Sequence, residues 1–313
     1  MEEQKIIDQI VKKELGEVVL DTKRMTMGIC NEVFLVSLPS RQVVIRMNKD
    51  GSKMVGSEKH IPLLKSKGIR VPDIIASDYS KSLVPFAYQI HSKIEGQDLG
   101  KIIADLSNEQ LESIAKEISI IIKKLAAIPT NGKFGWIGND QQLLYDTWLE
   151  VLQPNKIIER NNKTGLVGST YIKMVQKTLK KYGDYFDNVK STFYYDDMSS
   201  KNVTINQGKF SGVVDLDTMA YGDPLELVGR IKASWYGTKY GETYTNAIEN
   251  GLSLNDDQKE IVTVYAFLNK VHWLSEIGIQ FNKNTSTTID KDTVKKSKKI
   301  IDALALILKL HEN

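Results

Sequence analysis

Along the 313 residues the spacing of apolar positions changes period twice. Residues 3–15 set Ile6, Ile7, Ile10 and Val11 on one side of a helix, which predicts a short amphipathic segment. From residue 32 the period drops to two. EVFLVSL (32–38) and RQVVIRM (41–47) alternate, are rich in β-branched residues, and are joined by Pro39–Ser40, so they predict a hairpin. GSEKHIPLLKSKG (56–68) returns to helical spacing, with Ser57 at the N-cap and Gly68 as the stop. DIIASDY and FAYQIHSKI predict two more strands. Residues 17–92 therefore read as an antiparallel sheet carrying one main helix.

After IEGQDL (94–99) the pattern is mostly helical. Ser107 and Gln110 form a capping-box pair. Behind them Leu111, Ile114, Ala115, Ile118, Ile121, Ile122 and Leu125 recur at helical spacing until Pro129. Further helices are expected around 142–152, 169–182, 224–236, 256–279 and 292–310. A β-rich segment followed by a helical one predicts an α+β layout in two lobes, 1–92 and 93–313.

Composition narrows the class. Hydrophobic residues make up 41% and charged residues 26%, as in a globular chain. The net charge is +3, and no dense Arg/Lys run is interleaved with aromatics, so nucleic acid is not an expected partner. Cys30 is the only cysteine, which excludes an internal disulfide and argues against a cysteine-based zinc site. The chain starts Met1–Glu2–Glu3 without an apolar signal core, and no apolar stretch reaches membrane-spanning length. The expectation is a cytoplasmic protein without a membrane partner.

One stretch raises a chemical question. YYDDMSSKNVTI (194–205) and GVVDLD (212–217) put Asp196, Asp197, Asp215 and Asp217 with Asn202 inside 22 residues. Carboxylates repel one another and are poor strand residues. A bound divalent cation would offset the repulsion; two polar turns capping short strands are the alternative. Phosphate loops of the G-x-x-x-x-G-K-[ST] and G-x-G-x-x-G types are absent, as are G-x-S-x-G and H-E-x-x-H. His60, His91, His272 and His311 lie too far apart for ligand spacing. Asp197 and Asn202 form D-x-x-x-x-N, and Asp215 ends the apolar run Gly212–Val213–Val214. Phosphoryl transfer needs a carboxylate to accept the proton of a hydroxyl, oxygen ligands for Mg²⁺, and a cation on the phosphates. Asp197, Asn202 and Asp215 could supply the first two.

YDDMSSKN followed by VVDLD and GDPLEL resembles the catalytic and metal loops of the aminoglycoside phosphotransferase and choline kinase group, usually H-G-D-x-x-x-x-N, then I-D-W or I-D-F, then G-D-P. MGICNEVFLV (27–36) is similar to that group's nucleotide loop, VVIRM to its strand bearing the phosphate-contacting cation, and SEKHIPLLKSKGIRVPDII to the stretch bearing its acidic partner. The likeness runs in order from about residue 18 to 236. It implies a bilobal protein-kinase-like fold and a phosphotransferase that uses ATP or GTP with Mg²⁺ on a small hydroxyl-bearing acceptor. It implies Asp197 as the catalytic carboxylate, Asn202 and Asp215 as metal ligands, and Arg46 on the phosphates with Glu58 as its ion-pair partner. Backbone N–H groups around Gly28–Asn31 would cover the phosphates, and the base would meet backbone near Gln89–Lys93.

Three departures stand out: Tyr195 for histidine, Asp196 for glycine, and Arg46 for the more familiar lysine. Tyr195 can keep a scaffold role. Asp196, if it faces the cleft, contacts a cationic acceptor. Asp217 has three readings: second metal contact, loop stabiliser or substrate contact. Asp223–Pro224–x–Glu226 reads as a helix start with a capping pair. Cys30 reads as a small apolar filler. Trp235, Tyr236, Tyr240, Tyr244 and Trp273 read as core rather than acceptor pocket, and the last helix as docked rather than membrane-bound. Between 196 and 226 six acids face only Lys201 and Lys209, a bias that suits a polycationic acceptor such as an aminoglycoside antibiotic. Choline, an amino alcohol, a sugar or a macrolide are the other acceptors. A kinase-fold protein that binds nucleotide with little turnover is the alternative class. A protein kinase is disfavoured, because Asp215 to Gly222 is too short for an activation segment.

Overall fold

The computed structural model describes residues 2–26, 28, 30–138 and 143–311. The first part of the chain runs α1 (Glu2–Leu15), β1 (Asp21–Met25), β2 (Glu32–Ser37), β3 (Gln42–Asn48), α2 (Gly56–Ser66), β4 (Ile74–Asp78) and β5 (Ala87–Ser92). The strands form an antiparallel sheet in the order β1-β2-β3-β5-β4. Alternation on β3 sorts its two faces. Val43, Ile45 and Met47 join Phe34, Val36, Tyr88 and Ile90 in a buried cluster, and Ile7, Ile10 and Val11 of α1 cover it. Burying side chains of this size stabilises by roughly 1.5–3 kcal/mol each. Arg46 falls on the opposite face, level with Val33 and Gln89.

The rest comprises β6 (Gln97–Asp98), α3 (Leu99–Ile102), α4 (Asn108–Ala126), β7 (Gly135–Ile137), α5 (Trp148–Val151), α6 (Asn155–Thr164), α7 (Gly168–Lys181), α8 (Gly183–Asp187), β8 (Thr192–Tyr194), β9 (Val203–Asn206), β10 (Lys209–Val213), β11 (Met219–Gly222), α9 (Leu225–Ser234), α10 (Lys239–Leu252), α11 (Asp256–Glu276) and α12 (Lys291–Ile307). Its core is a second cluster gathered from these helices, to which α2 adds Ile61 and Leu64. Two small sheets, β10-β9-β6 and β7-β11-β8, are interspersed among these helices in sequence and carry the aspartates in their loops. The expected bilobal α+β, kinase-like fold is the one observed. No helix among the described residues is long and apolar enough to cross a membrane.

Several local expectations need correction. The capping box at Ser107 and Gln110 is present, but Ser57 does not cap α2. Val55 is the N-cap, and the buried Ser57 hydroxyl donates to Met54 O at 2.7 Å. The helix expected over 142–152 starts later: residue 142 is outside the described residues, Tyr145 bridges to Phe134, and a capping box from Thr147 to Glu150 begins α5. Helices α6 and α10 are not anticipated by the periodicity. The N-cap of α9 is Pro224 rather than the expected Asp223; Asp223 accepts from Leu225 N at 3.0 Å, and Glu226 turns to Arg230 rather than back to a cap. Cys30 is exposed rather than filling a core gap. Ile301 and Leu304 dock α12 as expected, whereas Ile307 is exposed.

Candidate active site

The loop that carries Asp196 and Asp197 leaves β8 at Tyr194 and returns as β9 at Val203. The β9–β10 hairpin then carries the chain to Asp215. Val203 pairs with Val213, and Val214 N donates to Asn202 O at 3.0 Å, so Asn202 and Asp215 are held on neighbouring strand ends. Asp215 has φ 62°, a left-handed conformation that aspartate tolerates better than most residues. Tyr195 holds it there. Its buried hydroxyl donates to Val214 O at 2.9 Å and to Asp215 O at 2.7 Å. The tyrosine in place of histidine therefore keeps the scaffold role.

Asp197 is fixed on the same loop. Asn202 Nδ2 donates to its Oδ2 at 2.8 Å and to its backbone O at 2.9 Å. Lys201 Nζ lies 3.4 Å and Arg230 Nη1 3.9 Å from the carboxylate. Burial pushes the Asp197 carboxyl up, Lys201 and Arg230 oppose this, and Asp196 and Asp215 add to it. A carboxylate with a raised proton affinity that is still one-third exposed suits proton acceptance from a hydroxyl.

Arg46 approaches from the sheet. Its guanidinium grips Asp217 with two nitrogens, one at 2.9 Å, and reaches Asp215 Oδ1 at 2.9 Å and Gln89 Oε1 at 3.2 Å. Burial opposes its charge, but Asp217 and Asp215 raise its proton affinity further, so it stays a cation. Asn31 Nδ2 adds a bond to Asp217 Oδ2 at 2.8 Å, which ties the β1–β2 connection to the same carboxylate. Asp217 is thus the holder of Arg46, which fits the loop-stabilising one of its three readings.

The expected Arg46–Glu58 ion pair is not made. Glu58 Oε1 accepts from Tyr79 OH at 2.9 Å and from Gln89 Nε2 at 3.4 Å, so Gln89 relays between the two. The physical reason is competition: Asp217 offers a buried bidentate partner, and such a pair outbids a more distant carboxylate. Gly28 has φ 115°, and its carbonyl accepts from Asn282 at 3.2 Å and Asn284 at 3.0 Å. Met27 and Ile29 of the expected phosphate-covering stretch lie outside the described residues.

The lobes meet by close backbone approach. A Cβ on Gly56 would sit 1.8 Å from Asp217 O, and one on Gly138 2.0 Å from the same atom. His60 Nδ1 lies 2.8 Å from Leu216 O. Only glycine at both positions lets α2 and the end of β7 bracket the loop after Asp215.

Asp196 points inward. It is buried, accepts from Trp136 Nε1 at 2.9 Å, and faces Arg230 Nη2 at 3.5 Å. A buried guanidinium requires anions around it, and Asp196 with Glu226 supplies them. The acid-rich run is therefore compensated from within: Asp217 by Arg46, Asp196 and Glu226 by Arg230, and Asp223 by the hydroxyls of Tyr185 and Tyr265 at 2.6 and 2.8 Å. The argument for a polycationic acceptor from that run does not hold. Trp235 and Tyr244 are core, packed edge to face at 5.7 Å.

A divalent cation fits in part. Asn202 uses its nitrogen on Asp197, which leaves its amide oxygen, and Asp215 is 41% exposed. Among the described residues no three His, Cys, Asp or Glu side chains converge on a metal position. Two protein oxygens completed by phosphate and water suit Mg²⁺, which keeps few protein ligands.

Glu226 and Arg230 are four residues apart on one helix, a spacing that marks a pair in the sequence. The contributions of Gln89, Trp136, Gly56 and Gly138 have no such local signal.

Residues 21–260 match the profile of the phosphotransferase enzyme family. None of the curated proteins matches. Solved structures share the fold. A thermostable mutant of aminoglycoside phosphotransferase APH(4)-Ia, in a ternary complex with AMP-PNP and hygromycin B, superposes with TM-score 0.69 at 17% identity, covering 96% of this chain and 98% of that one. A mutant aminoglycoside 2'-phosphotransferase-IIIa in its GDP complex gives 0.67 at 16%, covering 95% of each. A putative fructosamine-3-kinase from Haemophilus somnus 129PT gives 0.63 at 17%, covering 95% and 96%.

Proposed function

The chain belongs to the phosphotransferase enzyme family and is a small-molecule kinase; we propose that it moves the γ-phosphate of ATP or GTP to an acceptor hydroxyl with Asp197 as the base. The observation that carries this reading is the placement of Asp197 by Asn202 beside the Arg46–Asp215 pair. Residues 1–92 would bind the nucleotide, and residues 93–313 would bring the acceptor. Asp197 would orient the hydroxyl and take its proton as the oxygen attacks the γ-phosphorus, and the bond to the β-phosphate oxygen breaks to release the nucleoside diphosphate. Arg46 would turn from Asp215 to the phosphates while Asp217 keeps hold of it. Asn31 and the backbone at Gly28 would cover the phosphate tail, and Glu58 would support Arg46 through Gln89. Asn202 and Asp215 would hold Mg²⁺, which when bound offsets the phosphate charge.

The neighbour that binds hygromycin B makes an aminoglycoside-type antibiotic the first acceptor to try, with drug resistance as the consequence in the cell. The charge pattern of this chain's own acceptor wall supports a different class, argued below. The test is transfer of labelled γ-phosphate from ATP and from GTP to a library of hydroxyl compounds, with and without Mg²⁺. Labelled product that needs Mg²⁺ is the expected result. Tight nucleotide binding without transfer to any compound would favour a nucleotide-binding protein with little turnover.

A further inference from the structure

Trp136 stands apart from the other exposed large hydrophobic side chains. It is 40% exposed. On β7 it pairs with Ala220 of β11, and Ala220 pairs on its other side with Tyr194, the last residue before the catalytic loop. Its indole Nε1 donates to Asp196, the residue that adjoins Asp197. An indole fixed through its N–H to a buried carboxylate, with its ring left partly open, is built to receive a ring rather than to fill a core.

The wall around it is electrically closed. Arg230 lies 3.5 Å from Asp196, 3.9 Å from Asp197 and 3.2 Å from Glu226. Arg160 pairs with Glu276 at 3.1 Å, and Lys201 stands 3.4 Å from Asp197. Lys156 Nζ lies 5.7 Å from the centre of the Trp136 ring. Among the described residues, Asp196, Asp197, Glu226 and Glu276 thus face Arg230, Arg160 and Lys201, and Lys156 adds a fourth cation at the Trp136 ring. An entering ammonium would find one indole face already occupied by a lysine. Among the described residues it would also find each of these carboxylates within reach of a cation, with Arg230 shared by Asp196, Asp197 and Glu226, so their pull on a polycation is reduced.

We propose that Trp136, with Lys156 and the Asp196–Arg230 pair, forms an acceptor subsite for an uncharged hydroxyl-bearing ring, such as a neutral glycoside, and selects against an ammonium next to the reacting hydroxyl. The proposal rests on the phosphotransfer reading above. The C–H face of such a ring stacks on the open part of the indole and brings a hydroxyl toward Asp197. Lys156 repels amino-bearing rings from the same surface.

The test uses acceptors in charge pairs, each amino sugar or aminoglycoside beside its N-acetylated form, with KM and kcat measured for both members. The expected preference is for the uncharged member. Trp136→Ala should raise its KM roughly three- to tenfold while kcat stays within about twofold. Trp136→Phe should keep most of the binding. Lys156→Glu, a surface change, should lower KM for the amino-bearing member. Wild-type preference for the cationic members, or an unchanged KM in both Trp136→Ala and Lys156→Glu, overturns the subsite while leaving phosphotransfer standing. If Trp136→Ala does not fold, Trp136→Phe and Lys156→Glu carry the test. Transfer to no compound, with nucleotide binding intact, contradicts the phosphotransfer reading and this subsite with it.

Discussion

Two arginines are each held among carboxylates, and they are built differently. Arg46 comes from β3 and pairs with Asp217 and Asp215, roughly 170 residues away in the chain. Arg230 comes from α9 and pairs with Glu226 on its own helix and with Asp196 and Asp197 on the adjoining loop. The partners differ in exposure. Each arginine has one partly exposed partner, Asp215 at 41% and Asp197 at 32%, but Arg46 has a single dry one, Asp217 at 9%, and Arg230 has two, Asp196 at 11% and Glu226 at 9%. A carboxylate already in contact with water loses little when its cation turns away, but a dry one is left uncompensated. If Arg46 turns from Asp215, one dry carboxylate still holds it, whereas Arg230 is held by two, one of them on its own helix. On the phosphotransfer reading proposed above, the first arginine would face the nucleotide and the second, more firmly held one would face the acceptor.

This difference is broken most visibly at Arg230. Arg230→Met leaves Asp196 and Glu226 buried without their cation and should lower unfolding free energy by about 3–5 kcal/mol. Urea unfolding measures it, and a loss under 1 kcal/mol would mean that the two acids rehydrate and the firmer hold is not one. Arg46→Met should act mainly on ligand binding. Losing one charge-assisted contact to phosphate costs about 1.5–3 kcal/mol, roughly 10- to 150-fold in nucleotide affinity by calorimetry. Equal effects of the two substitutions on nucleotide affinity would erase the contrast.

A smaller effect sharpens the picture around Arg46. Burial, aided by Arg46, pushes the His91 imidazole down to about 3, and its Nε2 rests 3.0 Å from Gln89 Oε1, the atom that also accepts from Arg46. Burial lowers His60 as well. Both are kept neutral by the fold, so the unfolded chain takes up protons first. Stability should be full above pH 6.5 and fall as pH drops below it, by about 2 kcal/mol at pH 5 from His91 alone. His91→Gln should flatten that slope in melting curves between pH 7 and 5. An unchanged slope would show that His91 is already protonated in the folded protein.

What the sequence made legible divides along the same line. Asp197, Asn202 and Asp215 could be picked out because D-x-x-x-x-N and the apolar run before Asp215 are local patterns, and a short loop and a hairpin position them. The small sheet and the capping box at Ser107 were readable for the same reason. Long-range choices were not. Arg46 takes Asp217 rather than Glu58 because the packing of the two lobes, not any spacing, brings Asp217 within reach. Asp196 turns inward because Arg230 awaits it, and nothing in Tyr195–Asp196–Asp197 shows that. Helix α10, KYGETYTNAIENGL, buries Gly241, Tyr244, Thr245 and Ile248, a face too polar and glycine-rich to stand out as periodic. Trp136 gains meaning only when β11 sets Ala220 between it and Tyr194.

The central claim is that Asp197 acts on the acceptor while Arg46 and its aspartates hold the nucleotide. Asp197→Asn keeps the shape of the side chain and removes its capacity to take a proton. Turnover with an accepted hydroxyl compound should fall by about 10²–10⁴-fold, while nucleotide affinity in the presence of Mg²⁺ stays within a few-fold. A variant that turns over near the wild-type rate, or one that loses nucleotide binding along with transfer, would contradict the account.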